Sequence, residues 1–85
     1  MTIKILYFAA LRDALGRDNE VLETVPAGVA NVGALRAHLA ARGGVWSALD
    51  EGRNVRAARN QNMVKADAPV AAGDEIAFFP PVTGG

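Results

Sequence analysis

Cysteine is absent from this chain. A disulfide scaffold, a thiolate metal site and a thiol nucleophile are thereby excluded, and any sulfur the protein handles has to arrive from elsewhere. Net charge is lacking too. Nine Lys and Arg balance nine Asp and Glu, which leaves no surplus for the broad cationic surface that nucleic acid binding needs. Histidine occurs once, as His38, off the apolar stripe of the helix described below, and reads as a surface imidazole rather than a metal ligand. No run approaches the roughly 20 apolar residues of a membrane span. The start, Met1-Thr2-Ile3-Lys4-Ile5, has none of the charged segment, apolar stretch and small-residue cleavage site of a secretory signal. These absences predict a soluble, cytoplasmic protein with no metal, no membrane and no nucleic acid among its partners.

What is present is the material of one folded domain. The length of 85 residues fits a single unit, and an apolar share of 51% is too high for a disordered chain. Residues 3–9 form an apolar, β-branched and aromatic run broken only by Lys4, with Ile3, Ile5 and Tyr7 in one phase and Leu6 and Phe8 in the other. Apolar side chains in both phases predict a central strand buried on each side. Leu11 to Leu15 reads as a short helical turn ended by Gly16. Glu20 to Val25 predicts a second, antiparallel strand closed by Pro26.

Asn31 is a candidate N-cap for one substantial helix from Val32 to Arg42, whose stripe is Val32, Leu35 and Leu39 and whose end is Gly43-Gly44. Gly33 early in that helix costs some propensity. Residues 45–54 carry Trp46 and Leu49 in a loop or short helix. Residues 55–60 suit a third strand, with Ala57 and Ala58 leaving the assignment open. A tight turn at Gln61-Asn62 leads into Met63-Val64-Lys65, and Gly73-Asp74 turns the chain into a last strand from Glu75 to Phe79. The order hairpin, helix, short strands, final strand predicts an α+β protein with the β-grasp layout of ubiquitin. The domain is expected to occupy residues 1–80, with residues 81–85 as a tail.

The tail carries the chemistry. Pro80-Pro81 cannot continue a hydrogen-bonded ladder and holds the exit extended. Pro81, Val82, Thr83 and Gly84 then form a slender stem for insertion into a partner. Val82 and Thr83 supply side chains to grip, and Gly84 and Gly85 let bare backbone enter a narrow channel. The Gly85 carboxylate arrives first at whatever active site lies beyond. A carboxylate becomes an acyl donor only when activated. Adenylation by a nucleotide-dependent enzyme, followed by attack of an external sulfur nucleophile, would leave a thiocarboxylate. The chain itself needs no catalytic side chain for this.

The segment Gly73-Asp74-Glu75-Ile76-Ala77-Phe78-Phe79-Pro80-Pro81-Val82-Thr83-Gly84-Gly85 is similar to the C-terminal signature of the molybdopterin synthase small subunit family. The opening Ile3-Lys4-Ile5-Leu6-Tyr7-Phe8-Ala9-Ala10-Leu11-Arg12 resembles that family's start. Ala34-Leu35-Arg36, Trp46 and Asn60-Gln61 follow in the same order. The resemblance implies a ubiquitin-like sulfur carrier for molybdenum cofactor biosynthesis. It also implies that Gly85 is the site of adenylation and thiocarboxylation, and that no cofactor is bound stably, ATP being consumed by an adenylating, E1-like partner. A sulfur donor system and a large subunit in a heterotetramer complete the implied partners, and the catalytic side chains would belong to that large subunit.

By the same resemblance, Phe8, Met63 and Phe79 fall where the family has an apolar partner patch, and such anchors supply binding energy. Phe8 alone suits the core and the patch equally. Arg12 reads as a rim ion pair with a partner or a solvated arginine. Arg59 departs from the family, whose position before Asn60 is often apolar, and is expected to reach solvent at a strand edge. The carboxylate pairs Asp50-Glu51 and Asp74-Glu75 fall in turns and carry no acid–base role. Two other functions share the diglycine end: a carrier for thiamine thiazole synthesis, and a protein modifier joined to lysines through Gly85.

Overall fold

The N-terminal run becomes β1, Ile3–Tyr7, in a computed structural model that describes residues 2–50 and 52–81. Ile3, Ile5 and Tyr7 are wholly buried, whereas Lys4 and Phe8 are exposed and Leu6 is half-buried. The strand is central, but the expected burial on both sides is corrected. One face meets the helices, and the period of two sends Leu6 and Phe8 to a face that no described element covers.

After β1 come α1 (Ala9–Leu15), β2 (Asn19–Leu22), α2 (Val32–Ala40), a 3-10 segment (Gly44–Leu49), β3 (Arg56–Arg59), β4 (Asn62–Val64) and β5 (Glu75–Phe79). The strands form one sheet in the order β2-β1-β5-β3-β4. β1 and β5 run parallel, and the other neighbours run antiparallel. This is the mixed sheet of a β-grasp fold, as the element order implied. Ile3, Ile5, Tyr7, Ile76 and Phe78 point to the covered face and pack with Leu11, Leu15, Val32, Leu35, Leu39 and Leu49 into one core.

Local chemistry sets the boundaries. Gly16 closes α1 at φ 73°, a left-handed conformation that costs glycine nothing. The Asn31 side chain accepts a 2.8 Å hydrogen bond from the Ala34 N–H, as an N-cap should. Val32, Leu35 and Leu39 are the buried stripe of α2. The helix ends at Ala40 rather than the expected Arg42, because the Arg42 N–H turns to the nearer Leu39 carbonyl and Gly43 swings the chain to φ 79°. Gly33 has a use that outweighs its propensity cost. A Cβ there would lie 3.2 Å from both the Cβ and the carbonyl oxygen of Ala66. The bare position lets the segment after β4 cross the first turn, where the Ala66 and Ala68 carbonyls accept from the free N–H groups of Gly33 and Val32.

β2 stops at Leu22, short of the expected Val25. The β3–β4 turn falls on Asn60-Gln61, one residue before the expected Gln61-Asn62. Both turn residues have positive φ, 50° and 72°, the geometry of a two-residue hairpin turn, which leaves Asn62 free to pair with Arg59.

Candidate functional site

Strand pairing assembles the open face of the sheet residue by residue. Leu6 lies opposite Ala77, Ala77 opposite Ala58, and Ala58 opposite Met63. A single apolar row therefore crosses β1, β5, β3 and β4. In the next row, Phe8 donates its N–H to the Phe78 carbonyl at 3.1 Å, which seats it beside Phe79, and Phe79 lies opposite Arg56. The three expected patch residues thus share one face. Phe8 and Met63 sit at its two sides, three strand spacings or about 14 Å apart across the strands and one row apart along them. Phe8 is 46% exposed and Met63 65%, which settles the even choice at Phe8 in favour of the surface.

The backbone contributes to that display. Ala9, directly after Phe8, takes φ 53°, an uncommon conformation for a residue with a Cβ. The strand breaks sharply into α1 there, and Phe8 is left standing on the open face. Arg12, one turn into α1, is exposed and lines an open recess with Lys4, Leu6 and Phe8. It makes no ion pair among the described residues and stands beside the apolar face.

β5 is held at the end opposite to its exit. Asp74 is buried and accepts hydrogen bonds from the Ala71 N–H at 2.9 Å, Arg59 Nε at 3.0 Å and Asn60 Nδ2 at 3.1 Å. Asn60 also exchanges bonds with Glu75: its Oδ1 accepts from the Glu75 N–H at 2.9 Å, and its own N–H donates to the Glu75 carbonyl at 2.8 Å. Burial alone would raise the Asp74 carboxyl, but these donors outweigh it and hold it below the ordinary carboxylate range. The clasp ties the β3–β4 turn to the start of β5 and so fixes the register that aligns Ala58 with Ala77. Asp74, expected only as a turn residue, is a buried anchor, and Arg59 reaches solvent as expected while also bonding Asp74.

On the covered face, the Tyr7 hydroxyl donates to Glu20 Oε1 at 2.7 Å. Arg42 forks onto both Glu20 oxygens at 2.8 and 3.0 Å, and its guanidinium lies 4.4 Å from the Trp46 ring centre. Trp46 meets Tyr7 edge-on at 5.7 Å. Burial and the Glu20 carboxylate push the Tyr7 phenol far above its ordinary value. For Glu20, burial pulls upward, but the bonds from Arg42 and Tyr7 prevail and lower it. The cluster fastens the C-terminal end of α2 and the 3-10 segment to β1 and edge strand β2. An inward-facing charge on an edge strand also discourages pairing with another chain.

Among the described residues, no group of three or more His, Asp or Glu is arranged to hold a metal ion, and no helix is long and apolar enough to cross a membrane. The open apolar face is the candidate site of the described domain, and β5 leads from it to Pro80-Pro81. The family model of the ThiS family matches residues 5–85. The chain belongs to the ThiS family.

Similarity at higher resolution narrows the company it keeps. The chain is 48% identical over 85 residues to the molybdopterin synthase sulfur carrier subunit of Escherichia coli K12, covering 98% of this chain and 99% of that protein. A Pyrococcus furiosus structure described as subunit 1 of a molybdopterin converting factor superposes with a TM-score of 0.74 at 31% identity, covering 96% and 99% of the two chains. The small archaeal modifier protein 1 of Haloferax volcanii gives a TM-score of 0.72 at 28% identity, covering 95% and 98%. The resemblance read from the sequence is thus confirmed at the level of family and fold.

In this ThiS-family chain, Phe8, Arg12, Met63, Phe79 and Pro81 lie among the described residues, and all but Pro81 lie on or at the margin of the open face. Val82, Thr83, Gly84 and Gly85, on which the tail chemistry rests, lie outside the described residues. Leu6, Ala58 and Ala77 were missed as members of the patch. Their signal was present in the phase of Leu6 with Phe8 and of Ala77 with Phe79, but cross-strand register was needed to join them to Met63. The Tyr7–Glu20 pair was missed as well. A tyrosine in the core phase requires a partner for its hydroxyl, and Glu20, next in phase on the neighbouring strand, is that partner.

Proposed function

We propose that this protein carries sulfur as a thiocarboxylate on Gly85 for dithiolene formation in molybdenum cofactor biosynthesis, working as the small subunit of a molybdopterin synthase in the cytoplasm. The observation that carries the reading is the near full-length similarity to a sulfur carrier subunit of that synthase, with a family match that runs to residue 85. A Gly85 carboxylate oxygen attacks the α-phosphorus of ATP on an adenylating partner, and pyrophosphate leaves. A sulfur nucleophile at the sulfide oxidation level then attacks the carbonyl carbon, and AMP leaves. The open face serves as the docking surface: Leu6, Phe8, Ala77, Phe79 and Met63 offer apolar anchors, and Arg12 stands at their rim. Pro81, Val82, Thr83 and Gly84 form the stem that enters the large subunit, whose side chains complete the transfer.

A second reading, covalent modification of target lysines through Gly85, is favoured by the likeness to the archaeal modifier protein. Deletion of Gly85 tests both. The fold is expected to survive, because a terminal segment adds little to the core, while sulfur transfer to the pterin precursor is abolished. A deletion variant that still supports dithiolene formation would show the mechanism to be wrong. Gly85-linked lysine adducts in cells, without dithiolene formation, would establish the modifier reading instead.

A further inference from the structure

Beside the open face, a groove of about 220 Å³ runs between α2 and the β3–β4 hairpin. Val32, Val64 and the buried Phe78 line it, together with the exposed Arg56 and Lys65. The volume is below the roughly 300 Å³ at which small-molecule pockets begin, so one or two side chains of a polypeptide fit it better than a metabolite. Arg36 also borders the groove, but its Nε and Nη2 are spent on the carbonyls of Leu49, Asp50 and Arg53, at 2.7, 2.6 and 2.6 Å. Arg56 and Lys65 are exposed and bond no carboxylate among the described residues. An apolar slot lined also by two cations that pair with no carboxylate among the described residues complements an aliphatic side chain next to a carboxylate.

Position says where that segment comes from. Arg56 lies opposite Phe79 on the open face and also borders the groove, which makes the two surfaces continuous around the end of β3. β4 is the outermost strand on that side, three residues long, and is a low obstacle to a chain passing over it. We propose that the large subunit seated on the open face extends an acidic, aliphatic segment over this edge into the groove. There a Leu- or Val-like side chain fills the slot and its neighbouring Asp or Glu pairs with Lys65 and Arg56. The inference rests on the proposed partnership with a large subunit and assigns that partner a second point of attachment.

The test measures the affinity of the full chain for a purified large subunit, for wild type, Lys65→Glu and Phe79→Ala, together with backbone amide spectra of the labelled chain. Lys65→Glu is expected to weaken binding on the order of tenfold and to flatten its salt dependence. The Gly33 and Val64 amides are expected to shift on complex formation. Lys65→Glu binding as wild type with Gly33 and Val64 unmoved, while Phe79→Ala binds weakly, would overturn the groove assignment and leave the partnership standing. Failure of the wild-type chain to bind would overturn both. Movement of the same two amides in the free chain on removal of residues 82–85 would assign the groove to the chain's own tail and overturn the proposal.

Discussion

The two faces of the central sheet are built from alternating residues of the same strands, yet they are put to opposite uses. Ile5 and Tyr7, Ile76 and Phe78 are wholly buried against the helices. Their neighbours Leu6 and Phe8, Ala77 and Phe79 line a surface that nothing described covers. Comparable apolar chemistry stands on both sides, so hydrophobicity alone does not separate core from contact surface. Phase does, together with the element that each phase meets. A protein that must bind through a sheet face keeps that face apolar and leaves it unpaired until the partner arrives.

The sharpest way to break this comparison is to truncate the adjacent phenylalanines. Phe78→Ala is expected to cost about 3–5 kcal/mol of stability in urea unfolding, since it empties a fully buried site. Phe79→Ala is expected to cost less than about 1 kcal/mol while weakening partner binding. Equal losses of stability would mean that both faces are core.

Next in size is the clasp that sets the register of β5. Asp74→Ala is expected to destabilise by about 1–2 kcal/mol, because it removes the acceptor shared by Arg59, Asn60 and the Ala71 N–H. The sign of the acid dependence follows from the lowered Asp74 pKa. The unfolded chain takes up the proton first, so the contribution is complete above the ordinary Asp value and is lost as pH falls toward the lower native one. Unfolding of wild type and Asp74→Asn over a pH series should therefore converge in acid.

Smaller still is Tyr7→Phe, which removes the donor to Glu20 and keeps the ring. About 1 kcal/mol is expected, read from thermal unfolding. At the bottom of the scale, Met63→Ala should leave stability within about 0.5 kcal/mol of wild type. It sharpens the comparison if its effect appears only in partner affinity.

Much of this was legible in the chain itself, and the reasons differ from element to element. The β-grasp order followed from periodicity, because Val32, Leu35 and Leu39 repeat at helical spacing and Ile76 and Phe78 at strand spacing. Asn31 and Gly16 marked their helix ends through local bonding and backbone freedom, which need no tertiary information. The open face was half legible. Phe8, Met63 and Phe79 were named from family likeness, whereas Leu6, Ala58 and Ala77 joined them only through cross-strand register. Asp74 and Glu20 were illegible as anchors because their partners lie far off in the chain: Arg59 for the first, and Tyr7 and Arg42 for the second. The one-residue displacement of the β3–β4 turn has the same origin, since pairing of Asn62 with Arg59 selects Asn60-Gln61 over Gln61-Asn62.

In the proposed carrier the reacting group is the Gly85 carboxylate. An intact-mass measurement of the full chain after incubation with ATP, an adenylating partner and a sulfide donor tests this most directly. The expected result is replacement of one oxygen by sulfur, located at Gly85 by fragmentation and absent when ATP is withheld. An unchanged mass, with a partner shown to adenylate a known carrier in the same mixture, would contradict it.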